Sequence, residues 1–92
     1  MRTIYRLYTE RFDNLAPIVC RYFDGATLFE TIGIWQGKTE LAACIEILGA
    51  DDDLDQVLLL AEDIRITNGQ QSVYVSISHT WLKEVKVNDQ TA

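Results

Sequence analysis

Apolar and polar positions alternate strictly from Thr39 to Leu48. Leu41, Ala43, Ile45 and Ile47 take one side, and Glu40, Ala42, Cys44 and Glu46 take the other. A period of two marks a strand with one covered face. Residues 26–35 precede it with a looser alternation: Leu28, Glu30, Ile32 and Ile34 share one side, and Thr27, Phe29, Thr31, Gly33 and Trp35 the other. Apolar residues on both sides predict that both faces of this strand are at least partly covered. Gly33 marks a bulge or a close backbone approach. Gln36-Gly37-Lys38 lies between the two segments and reads as the turn of a hairpin.

A helical pattern flanks the hairpin on each side. Leu15, Ile18, Val19, Tyr22 and Phe23 recur at i, i+3, i+4, i+7 and i+8, with Asn14 placed as N-cap and Pro17 in the first turn. Gly25 is suited to the left-handed position that ends this helix. Downstream, Leu54, Val57, Leu58, Ala61 and Ile64 form a second stripe that Asn68-Gly69 stops. Asp51-Asp52-Asp53 stands at its start, where carboxylates cap and favour the positive end of the dipole. The run lacks the spaced ligands, central Gly and terminal Glu of an EF-hand loop.

Beyond each helix lies another strand. Residues 3–9 place Thr3, Tyr5 and Leu7 against Ile4, Arg6 and Tyr8; residues 72–79 place Val73, Val75 and Ile77 against Tyr74, Ser76 and Ser78. His79 closes that strand on the apolar parity, where a packed or hydrogen-bonded role is expected. The order β-α-β-β-α-β predicts a ferredoxin-like α+β sandwich: a four-stranded antiparallel sheet with two helices on one face. Residues 1–79 make one domain, and 80–92 a C-terminal extension. Within the extension Trp81, Val85 and Val87 predict an edge strand or a docking segment, and Asn88 to Ala92 are expected to fray. The open sheet face would carry Glu40, Ala42, Cys44, Glu46, Tyr74, Ser76 and Ser78. It is joined by Arg6 and Tyr8 or by Tyr5, depending on register.

A chain of 92 residues holds one core. Acidic residues outnumber basic ones, 14 to 8, for a net charge of −6. A phosphate-neutralising nucleic-acid surface needs clustered Lys and Arg, and here they are scattered. Glu40 and Glu46 would also repel phosphate from an RRM-type sheet face. No apolar run approaches the ~20 residues of a membrane-spanning helix. The start alternates instead of forming a signal peptide, predicting a cytoplasmic protein. Cys20 and Cys44, in apolar segments with a single histidine, read as free, buried and reduced, with no metal site.

Phe23-Asp24-Gly25-Ala26-Thr27, Gly33-Ile34-Trp35-Gln36-Gly37, Glu40, Ile45-Glu46-Ile47 and Asn68-Gly69-Gln70-Gln71-Ser72-Val73 form a recognisable set. They resemble small ferredoxin-like proteins of phages and integrated mobile elements, with the pattern F-D-G-x-T, G-x-W-x-G, E, I-E-I, N-x-Q-x-x-V over residues 23–77. That family offers no catalytic residues to carry over. Physically the glycines read as turns and helix ends, and Trp35 as a cover over one end of the core.

No phosphate loop, dinucleotide fingerprint or nucleophile elbow occurs. Glu40 and Glu46 lie roughly 20 Å apart along one strand, too far to act on one bond. The expected function is therefore non-enzymatic protein binding, without cofactor. An acidic patch of Asp51, Asp52, Asp53, Asp55, Glu62 and Asp63, or the open-face residues Glu40, Cys44, Glu46 and Tyr74, would meet the partner. The phage resemblance implies an inhibitor of a host nucleic-acid-binding defence complex, of the anti-CRISPR kind, with carboxylates in place of phosphates. The alternative is a homodimeric small-ligand-binding protein or enzyme that uses the open sheet face.

Overall fold

The computed structural model describes residues 1–87; the stretch Asn88 to Ala92, expected to fray, lies outside them. The elements are β1 (Arg2–Glu10), α1 (Leu15–Cys20), β2 (Thr27–Trp35), β3 (Lys38–Gly49), a 3-10 turn (Asp51–Asp53), α2 (Leu54–Thr67) and β4 (Tyr74–Thr80). The antiparallel sheet runs β2-β3-β1-β4. This is the ferredoxin-like order, with both helices on one face.

The strand parities follow the alternation. Tyr5 and Leu7 of β1 and Ala43, Ile45 and Ile47 of β3 are buried. They meet Leu15, Ile18 and Val19 of α1 and Val57, Leu60, Ala61 and Ile64 of α2. The core therefore sits over the two central strands. On α2 it is Leu60, not Leu58, that completes the buried stripe; Leu58 is half-exposed.

The first helix is shorter than its periodicity predicts. After Cys20 the chain tightens into a turn, with Tyr22 N–H and Phe23 N–H both donating to the Val19 carbonyl. The Tyr22 hydroxyl donates to Asp63 Oδ2 at 2.8 Å, and Gln56 Nε2 donates to the Tyr22 carbonyl, so this turn is drawn sideways onto α2. Tyr22 and Phe23 still pack on the core from outside the helix. Asn14 makes no side-chain cap bond, and Gly25 does not take a positive φ. Gly69 does, at 62°, where the chain leaves α2.

The hairpin also departs from expectation. Its turn has φ 50° at Gln36 and 78° at Gly37, the type I′ geometry that matches strand twist. Pairing is continuous through Gly33↔Glu40, so Gly33 makes no bulge. Only the start of β2 is partly covered, with Leu28 39% exposed and Phe29 45%; toward the turn the cover ends, and Ile32 is 69% exposed, Ile34 76%, and their neighbour Leu41 62%. The cause is helix length, because a six-residue α1 cannot reach along a nine-residue strand. Arg11 closes the core at that end. Its guanidinium donates to the carbonyls of Ala42 (3.2 Å) and Thr31 (2.8 Å), and lies 3.7 Å from Glu30. Beyond Arg11 the hairpin projects, and the molecule measures 54 × 26 × 23 Å. Trp35 stands near its tip and is mostly exposed, so it does not cover the core. Residues 81–87 form no strand.

Candidate functional site

A concavity of about 570 Å³ lies on the open sheet face between the hairpin tip and the α2–β4 connection. Register builds it. Tyr8 of β1 stands directly opposite Tyr74 of β4, and Glu10 opposite Ala42 of β3. Two residues along the same face of β3 comes Glu40, and the type I′ turn brings Trp35 to the rim. The small side chain of Ala42 leaves the floor of the cleft low.

The far wall is the segment Gly69–Ser72, tied down by two amides. Gln70 Oε1 accepts from the Glu10 N–H at 3.1 Å, while its Nε2 donates to Thr9 Oγ1 at 2.7 Å. Asn68 Nδ2 donates to Glu10 Oε2 at 3.2 Å. The Asn-x-Gln spacing thus clamps the connection to the end of β1 and fixes one carboxylate in the process. The cleft carries two carboxylates and three aromatic rings, and no lysine or arginine among its lining residues.

Of the four open-face residues singled out from sequence, Glu40 and Tyr74 come together here. Cys44 is buried beneath its neighbours at 8% exposure, and burial pushes its thiol pKa up. Glu46 is paired with Arg6 at 2.9 Å. Cys20, by contrast, is exposed, against the expectation that both cysteines are buried.

The acidic residues lie along α2 and its approach, and several are engaged within the chain. Asp53 Oδ2 accepts from the Ala50 N–H at 2.9 Å. Glu62 pairs with Arg65 at 2.6 Å. Asp63 accepts from Tyr22 and Thr67 and meets Arg21 at 3.4 Å. The Tyr22 hydrogen bond leads the causes that hold its carboxyl below the ordinary carboxylate range. Asp52 and Asp55 point to solvent. Among the described residues no group of His, Cys, Asp and Glu is arranged to hold a metal ion. Nor, among the described residues, is any helix long and apolar enough to cross a membrane.

At the opposite end of the sheet Asp51 Oδ1 accepts from Thr3 Oγ1 at 2.6 Å and lies 2.9 Å from His79 Nε2. His79 is thus hydrogen-bonded, and it is remote in register from the cleft. The Thr3 hydroxyl, then His79, holds the Asp51 carboxyl below its usual pKa. A depressed carboxyl stabilises the fold above its unfolded value of ~3.9, and that contribution is lost as pH falls through the folded value. Asp51→Asn is expected to lower the thermal midpoint at pH 7 and to shrink the loss of stability on acidification below pH ~4. Melting curves from pH 2 to 7 check both.

No protein-family model matches this chain, and neither does any curated protein. Among solved structures, the chain is similar to a phage SAM lyase in its apo state, at TM-score 0.57 and 16% identity. The match covers 83% of this chain and 78% of that one, a likeness of fold over most of both molecules.

Proposed function

We propose that the cleft binds a small cationic nucleoside of the S-adenosylmethionine type. The observation that carries this reading is the grouping of Glu10 and Glu40 with Tyr8, Trp35 and Tyr74 around one concavity. A sulfonium or ammonium is attracted by aromatic faces and by carboxylates, and a purine ring stacks on the same aromatics. The volume lies within the ~300–1,000 Å³ of small-molecule sites. The ligand named for the phage neighbour has this chemistry. An inhibitor that mimics phosphates is less well supported, because Asp51, Asp53, Glu62 and Asp63 already serve contacts within the chain.

Calorimetric titration tests the proposal. S-adenosylmethionine is expected to bind about tenfold or more tightly than S-adenosylhomocysteine, whose sulfur is uncharged. Glu40→Gln and Trp35→Ala should each weaken it while leaving the melting temperature near that of the wild type. Absence of binding, or equal affinity for the two ligands, overturns the reading. Two carboxylates beside a sulfonium ligand can also accept a proton from it. The fate of the ligand, followed by chromatography, therefore separates a binding protein from an enzyme.

A further inference from the structure

We infer that a second copy of this chain docks on the hairpin, β2 against β2, in a two-fold antiparallel pairing centred on Thr31. β2 is a sheet edge of nine residues, uninterrupted by proline or lysine. Natural edges are ordinarily blunted by such residues, by bulges or by a covering element. The Trp35↔Lys38 pair closes a two-residue turn, so Trp35, Gly33 and Thr31 direct their backbone groups toward β3. Leu28, Glu30, Ile32 and Ile34 then present theirs outward.

The strand is complementary to itself. Thr31 is its midpoint, and antiparallel pairing about it sets Leu28 opposite the second copy's Ile34 and Glu30 opposite its Ile32. Every outward donor meets an outward acceptor, and no carboxylate faces its own copy. On the helix side, Leu28 borders an apolar groove of about 200 Å³ formed with Val19, Cys20, Phe23 and Ile45. Ile34, 76% exposed, is the side chain that this register delivers beside that groove. On the other face Phe29 falls opposite Gly33, where an aromatic ring covers a residue without a side chain.

Knob and groove lie three residues either side of the same point, as an isologous contact requires. The exposed parts of Leu28, Phe29, Ile32 and Ile34 on the pairing strand amount to roughly 450 Å² at ~200 Å² per large side chain. Paired backbone adds to this, toward the ~800 Å² that each partner contributes to a standard interface.

Sedimentation velocity on the full chain at micromolar concentration is expected to give a dimer. Ile34→Asp should weaken association about tenfold or more, by placing a carboxylate in an apolar groove. Trp81→Ser combined with Val85→Ser should leave it unchanged. Register is read by oxidation in a Cys20→Ser background. Thr31→Cys lies on the two-fold axis at a Cα separation near ~4.5 Å, within disulfide reach, and should cross-link at least about tenfold faster than Thr27→Cys. A monomer or trimer overturns the inference. So does equal cross-linking at both positions, or loss of association with the Trp81/Val85 variant, which would assign the edge to the C-terminal extension.

Discussion

Ile45→Ala is expected to destabilise the protein by about 2–5 kcal/mol, read as a drop of roughly 1–3 M in the urea midpoint at unchanged slope. Ile45 is fully buried and sits on a central strand, paired with Leu7 of β1 on one side and Leu28 of β2 on the other. Above it lies a helix of only six residues. A helix that short has no stability of its own and is held by the side chains it buries. The cavity left by alanine therefore cannot close by a helix sinking as a rigid unit, and the cost falls toward the upper part of that range. A single small domain has about 5–15 kcal/mol in total, so the variant loses a large share of it. Leu59→Ala, on the solvent side of α2, should stay within about 0.5 kcal/mol. The contrast locates the core over β1 and β3.

The contrast also shows what could be read without coordinates. A central strand with one covered face must alternate, so β1 and β3 displayed their parity, and the order of elements implied the sandwich. β2 could not be read the same way. Ile32, Ile34 and Leu41 have the composition of covered residues, and whether they are covered depends on how far α1 extends. That length was obscured because Tyr22 and Phe23 keep the helical period after the helix has ended, and still touch the core from a turn held by Asp63 and Gln56. Cys20 was misplaced for the same reason: it lies at the short helix's outer end.

The site was legible in part. Glu40 and Tyr74 followed from strand parity. Register alone leaves Tyr8 open, and Glu10 falls just outside the strand read over residues 3–9 because strand ends carry no sharp signal. Gln70 was visible as a motif residue, but its role depends on a contact 60 residues away in sequence, with the Glu10 backbone. A usable hint was present: two amides, Asn68 and Gln70, directly after a helix end, where side-chain amides commonly satisfy backbone groups.

Tyr5→Phe and Tyr5→Ala should separate a hydrogen bond from a packed volume. Tyr5 is buried on β1, and its hydroxyl donates to the Ala50 carbonyl where the chain enters α2. Phenylalanine keeps the ring and loses the donor. The Ala50 carbonyl also accepts from the Asp53 N–H at 3.1 Å and so keeps a partner, and the expected cost is about 0.5–1.5 kcal/mol. Alanine also empties the ring's volume among Leu7, Ile47 and the helices, for about 3–5 kcal/mol. Wild type and Tyr5→Phe should differ in alkali as well. Burial first, then the charges of Asp51, Asp53 and Asp52, raises the Tyr5 phenol above its usual pKa. A raised folded value means that the stabilisation is intact below the unfolded value of ~10 and is lost as pH climbs through the folded one. Wild type should therefore lose more of its thermal midpoint between pH 9 and 11 than Tyr5→Phe does. Equal losses would mean that the Tyr5 phenol stays protonated in the unfolded chain too, or that another group governs alkaline unfolding.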